Sequence, residues 1–225
     1  MTQASYPITA QTTPTRHSDR VTYDRTAVHS VLDEAVLCHV GYVLDGRPVV
    51  LPQLHARVGE QLYLHGSSGA RAMRAAADGG LAVCVTVTLI DGLVLARSAF
   101  NHSINYRSVV VHGIAAEVSN EAEKQAALAA LVDAVVPGRS AAVRGPSRKE
   151  LAATTVLRLA LERVSIKTRT GPPGDDESDL DLPYWAGVLP LTQAPGPPAP
   201  APGLAPSIST PGHVTAWTRP TTPSS

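Results

Sequence analysis

The sequence predicts a mainly β fold: a closed or nearly closed antiparallel barrel of six or seven strands with flanking helices. Three observations predict it. Apolar runs of strand length recur along residues 38–118 and again near residue 160. Two Asp-Gly pairs, Asp45-Gly46 and Asp91-Gly92, each sit between two such runs and favour type I′ hairpins, because both central residues need positive φ. Helical patterns are inserted between groups of strands, not after every strand, which leaves few parallel crossovers.

Residues 1–20 are polar, carry Pro7 and Pro14, and read as a flexible N-terminal lead-in. From Asp24, the residues Ala27, Val28, Val31, Leu32, Ala35 and Val36 fall on one helical face. Strands follow at residues 38–44 and 47–55, and a turn at 58–60 leads to a third at 61–65. Residues 68–78 read as a helix with Ser68 as N-cap and Gly79-Gly80 as its terminator. Residues 81–89 and 93–100 are expected to form a second hairpin across Asp91-Gly92, followed by a strand at 106–118. Asn120 caps a helix striped by Ala126, Leu128, Leu131, Val132 and Val135, with Glu123 placed to complete a capping box. Ser147 and Glu150 repeat that signal, and residues 156–167 read as the last strand.

The folded domain is therefore expected over residues 21–191. Residues 192–225 hold nine of the 19 prolines and read as a disordered Pro-rich tail in which Trp217 has no evident role. Lys plus Arg equals Asp plus Glu, 19 of each, so no broad nucleic-acid or anionic-membrane surface is expected, although a local anion site is allowed. There is no secretory signal or membrane-spanning run, and Cys38 and Cys84 sit in strand-like apolar surroundings. A soluble cytoplasmic protein with reduced thiols is expected. No Ser/His/Asp order, HExxH or Walker-type loop is present, and Asp175-Asp176 reads as a solvated turn.

At residues 63–74 a strand runs through His65, Gly66 and Ser67 into a small-residue turn and a helix bearing Arg71 and Arg74. Unpaired N–H groups in a first helical turn, with arginine beside them, can seat a phosphate. Taken locally, the same residues are also an ordinary Gly/Ser turn.

Three segments together widen that reading: Arg47-Pro48-Val49-Val50-Leu51-Pro52; Tyr63-Leu64-His65-Gly66 followed by Arg71; and Tyr106-Arg107-Ser108-Val109-Val110-Val111-His112-Gly113. In order and spacing they resemble the pyridoxamine 5′-phosphate oxidase-like, FMN-binding split-barrel family, closest to the branch that includes the nitroimidazole-resistance (Nim) proteins. The likeness extends over about residues 22–191. It implies a six- to seven-stranded split β-barrel that forms a homodimer with two FMN sites at the subunit interface. By the same resemblance, residues Arg47 to Pro52 line the flavin, and His65 to Arg71 hold the ribityl phosphate. Arg71 is its main cationic contact, because Ala70 stands where relatives often carry a second base. Ser108 contacts the ring, Tyr106 and Arg107 are candidates for the same pocket, and Trp185 covers the flavin edge or fills the dimer interface.

A flavin needs a flat slot, hydrogen bonds to its N1, C2 and N3 edge and a cationic phosphate seat. Arg47 or Arg107 near the N1/C2 edge would stabilise the reduced ring; the alternative for each is an ion pair with a carboxylate. His65 is the candidate catalytic side chain, contacting substrate or exchanging protons, and its alternative is a strand-end cap. Some split-barrel relatives bind haem, and His39, His55, His102 or His112 could ligate its iron, though nothing in their spacing singles one out.

The expected activity is an FMN-dependent oxidoreductase acting on a small planar molecule such as a nitroaromatic or quinone. Alternatives are a non-catalytic flavin- or haem-binding protein for sensing, storage or detoxification, or a deazaflavin protein. A true pyridoxamine-phosphate oxidase is not expected, because Trp185 leads into Ala-Gly-Val-Leu-Pro-Leu and not into that enzyme's Arg- and His-bearing substrate segment.

Overall fold

The computed structural model describes residues 4–218; expectations that fall on residues 1–3 and 219–225, the outer ends of the lead-in and the tail, lie outside the described residues. The elements run β1 (Val21–Thr22), α1 (Arg25–Glu34), β2 (Leu37–Leu44), β3 (Arg47–Leu54), β4 (Ala56–Val58), β5 (Gln61–Ser67) and α2 (Arg71–Ala77). They continue with β6 (Leu81–Leu95), β7 (Ser103–Glu117), α3 (Glu121–Val135), α4 (Arg148–Ala153), β8 (Thr154–Ala160), β9 (Arg163–Arg169), β10 (Gly187–Pro190) and α5 (Gly212–Thr215). All strand pairs are antiparallel, in the order β3-β2-β6-β7-β8-β5-β4, with β9 on β7 and β10 on β6. β3 and β4 end this order and do not pair with each other, so the split barrel stays open.

The split is made at β7. Residues Tyr106 to His112 pair with β9, and Ala116 and Glu117 pair with β8, so one long strand serves two partners in succession. Its inward residues Val109, Val111 and Ala115 are fully buried and meet Val85 and Val87 of β6, Leu64 of β5, and Val28, Val31 and Leu32 of α1 in one core. Each such aliphatic side chain contributes roughly 1.5–3 kcal/mol on burial. Helix α1 starts where Asp24 accepts from the Ala27 N–H at 2.8 Å, and lays its apolar stripe on that core.

The Asp45-Gly46 hairpin forms as expected, with φ of 51° and 72°. Asp91-Gly92 does not turn the chain. Both lie inside β6, where the register against β7 slips between Ile90 and Gly92, a bulge held by Arg107 on Asp91. The reversal comes instead at residues 96–102. The expected last strand is two, β8 and β9, broken at Leu161, whose N–H donates to Glu60 O at 2.9 Å. These divisions, with the short β1, β4 and β10, raise the strand count among the described residues to ten. Helix α2 begins at Arg71 behind Ala70, with no side-chain cap, so Ser68 is not its N-cap. Asn120 caps α3, but Glu123 does not close a capping box: its carboxylate accepts from the Tyr63 hydroxyl at 3.0 Å and from Arg158 at 2.9 Å. The Ser147/Glu150 box forms in full.

The lead-in is not loose where it is described. Tyr6 is 2% exposed, its N–H donates to Tyr23 O at 2.8 Å, its hydroxyl donates to Glu60 at 2.9 Å, and Arg25 stacks on its ring. Further along, Thr12 is buried and its C=O accepts from the Tyr23 hydroxyl at 3.0 Å, so the segment is docked at two places.

Candidate functional site

Successive residues of a strand face opposite sides, and at the end of β5 this alternation separates two cavities. Leu64 and Gly66 line one and His65 lines the other. β3 does the same, with Leu51 and Gln53 toward the first cavity and Leu54 toward the second.

The first cavity, about 330 Å³, lies between β3, β5 and α2 and is bordered by Arg71. Gly66 keeps this wall low: a Cβ there would come within 2.9 Å of Met73 Cε and push that side chain aside. The turn before α2 is less free to hold a phosphate than its composition suggests. The Ser68 N–H donates to Ala153 O at 2.9 Å, the Gly69 N–H to Ser67 Oγ at 3.3 Å, and the Ala70 N–H to Ser67 O at 2.9 Å. The cationic contribution falls to Arg71, an exposed side chain paired with the Asp45 carboxylate of the first hairpin. Gln53 was missed in the sequence; its Oε1 is buried with no hydrogen-bond partner. Its period-2 spacing from Leu51 is the signal that would have found it.

The second cavity is a slot of about 640 Å³ between β5, α3 and the chain leading to α4. Its walls are apolar, with Leu54, Leu128, Leu131, Val132, Val135 and Val143 among them. Among the described residues, His65 is the only imidazole lining it; its Nδ1 is buried without a partner, and burial keeps its pKa below the ordinary value. At the rim, Arg144 is held by Glu150 through two 2.7 Å hydrogen bonds, while the Arg139 guanidinium has no carboxylate partner among the described residues. His65 is thus turned away from the Gly66–Arg71 corner with which the sequence grouped it.

β7 divides its candidates too. Tyr106 and Ser108 lie on the outer sheet face, where Ser108 Oγ is 2.9 Å from Thr88 Oγ1. Arg107 points to the other side. It holds Asp91 at 2.7 and 3.0 Å and Glu34 at 2.5 and 3.1 Å, and these carboxylates, Asp91 first, hold its pKa above its ordinary range. Of the two readings of Arg107, the ion pair is the one observed. Arg47, Pro48, Val50, Leu51 and Pro52 are exposed on the edge strand, and Val49 is half-buried beside them. Trp185 is 70% exposed, its ring lying over Gly187. Of the other histidines, His55 is buried with Nε2 2.9 Å from Leu32 O, and His102 Nδ1 is 2.9 Å from Ser98 O. Burial pushes the Cys38 thiol up to about 12. Among the described residues no helix is long and apolar enough to cross a membrane, and no three His, Cys, Asp or Glu residues cluster to hold a metal.

The family model described as pyridoxamine 5′-phosphate oxidase matches residues 24–168. No curated protein sequence matches the chain. Among solved structures, the flavocytochrome Anf3 of Azotobacter vinelandii is 39% identical, with a TM-score of 0.87 over 93% of this chain and 97% of that one. The FAD- and haem-binding protein of Mycobacterium smegmatis is also 39% identical, with a TM-score of 0.84 over 89% of this chain and 98% of that one. A candidate 5-nitroimidazole antibiotic resistance protein of Bacteroides thetaiotaomicron, 21% identical, shares the fold with a TM-score of 0.54 over 65% of this chain and 85% of that one.

Proposed function

The chain belongs to the pyridoxamine 5′-phosphate oxidase family, and from that premise we propose that it is an oxidoreductase binding a flavin at the β3/β5/α2 corner and haem in the adjoining slot. The observation that carries the reading is the alternation of β5, which presents Gly66 to one cavity and a partnerless imidazole, His65, to the next.

The residues present fit both groups. At the corner, Gln53 offers an unsatisfied amide oxygen to a ring N–H, Arg71 offers a guanidinium to a phosphate, and the exposed β3 backbone lies alongside. FMN is what the resemblance implies, whereas FAD is named for the 39% identical mycobacterial protein. The two share the ring, ribityl chain and first phosphate that this corner would receive, and FAD is the cofactor we propose. In the slot, apolar walls suit a flat apolar macrocycle, and an imidazole kept neutral by burial retains a lone pair for iron. Arg139 at the rim would meet an anionic substituent. When bound, the flavin supplies two-electron chemistry and the haem iron one-electron chemistry. The chain's part is to exclude water from the slot, hold both groups against one strand, and admit a small planar acceptor, quinone-like or nitroaromatic, at the exposed β3 side.

The test is reconstitution of the purified protein with FAD or FMN and with hemin, followed by absorbance. His65→Ala should lose the Soret band and retain flavin absorbance. Arg71→Ala should weaken flavin binding by about 1.5–3 kcal/mol, the range for a hydrogen bond to a charged group. Loss of both signals in His65→Ala, or of neither, contradicts the two-cavity assignment. Mass spectrometry of extracted ligand separates FAD and FMN from a deazaflavin.

A further inference from the structure

The reading of the slot as a haem site leaves one side unassigned, and the Pro-rich tail contains a group that answers to it. Residues 192–211 run exposed and without regular structure, and the chain then turns through α5. Trp217 anchors this end, its indole N–H donating to Val135 O at 2.9 Å. Val135 is the last residue of α3 and lines the slot. His213 stands four residues before Trp217, and the backbone between them is closed by hydrogen bonds from Ala216 N–H to Gly212 O and from Trp217 N–H to Val214 O. His213 and the anchoring Trp217 are thus held within one short turn of chain.

Among the described residues, three histidines have a buried ring nitrogen with no hydrogen-bond partner: His55, His65 and His213. His55 is accounted for by its other nitrogen on Leu32 O. His65 and His213 have no hydrogen bond on either nitrogen. One lines the slot, and the other rides on the segment tied to the slot's wall. A buried, unpaired imidazole nitrogen costs free energy unless something absent from the bare chain meets it.

We infer that the C-terminal segment 212–218 belongs to the slot, and that His213 supplies a second imidazole to the haem iron. The inference rests on the haem reading given above. Two neutral imidazoles on ferric haem give a six-coordinate, low-spin centre; one alone leaves a position open to water or exogenous ligands.

The experiment uses the full chain loaded with hemin, read by electron paramagnetic resonance and absorbance. The wild type should be low-spin. His213→Ala should shift to high-spin, and added imidazole should restore the low-spin signal, which a purely structural role would not produce. Trp217→Ala, which removes the anchor, should give a partial shift in the same direction. Circular dichroism should be unchanged, since both residues lie outside the core. A wild type that takes up no hemin, or a His65→Ala protein that retains it unchanged, overturns the haem reading and this inference with it. A wild type that loses hemin on His65→Ala, yet is high-spin or is unaltered by His213→Ala, overturns this inference alone.

Discussion

His55 and His65 show how burial writes a pH response into single residues. Burial lowers the pKa of both, and that of His29, where burial is again the first cause, followed by Arg57. A folded pKa below the unfolded value of about 6.5 means that the unfolded chain binds more protons in that window. Stability is therefore full above about pH 6.5 and is lost as pH falls toward the depressed folded values, by at most about 1.4 kcal/mol per pH unit for each histidine. The urea midpoint should drop between about pH 7 and pH 5.5, and His55→Gln should flatten that slope. A midpoint that holds or rises on acidification would show that these imidazoles accept protons in the folded state. The sequence marked His65 as functional because it stood at a strand end beside a turn. Which cavity it faced depends on its register opposite Val156 in β8, a partner 91 positions away that no local pattern names. The same holds for Tyr106, Arg107 and Ser108: three adjacent candidates in sequence, two faces in the sheet.

At the scale of elements, Arg107 ties three together: its own β7, the β6 bulge through Asp91, and the end of α1 through Glu34. The Glu34 side chain is 8% exposed, so removing the guanidinium takes an ion-pair partner from a buried carboxylate. Arg107→Ala should cost about 3 kcal/mol in urea unfolding, the low end of the range for breaking a buried pair because Arg107 itself is a quarter exposed. Flavin affinity should be unchanged, since Arg107 does not line the β3 corner and is held by Glu34 and Asp91; weakened flavin binding with unaltered stability would return Arg107 to the ring edge. This pairing also explains why one Asp-Gly was legible and the other misleading. At Asp45-Gly46 both residues take positive φ, whereas neither Asp91 nor Gly92 does. Asp91 serves as a carboxylate for Arg107, and the strand continues through it to pair with β10. The capping signals at Asn120 and Ser147 were legible because each is satisfied within four residues. Glu123 was not, because Tyr63 and Arg158 claim its carboxylate from across the fold.

For the whole molecule, one group of exposed apolar side chains lies on the hairpin that borders the proposed flavin corner. Val43 and Val50 are 62% and 64% exposed on the β2/β3 hairpin, next to Leu51 at 45%. β3 is an edge strand, but Pro48 and Pro52 offer no N–H, which disfavours recruiting another strand and leaves side-chain packing as the way to cover it. A second copy of the chain, with Trp185 as a further anchor, is the cover we propose, as the family resemblance implied. Burying each valine would contribute roughly 1.5–3 kcal/mol, and a carboxylate in its place would have to be desolvated. Sedimentation should therefore give twice the 23.5 kDa chain mass for the wild type, and Val43→Glu with Val50→Glu should give the single-chain mass. Leu51 of the same edge strand lines the corner, so flavin affinity should fall together with dimerisation. A double variant that sediments as a monomer and binds flavin as tightly as the wild type would place the whole flavin site within one subunit.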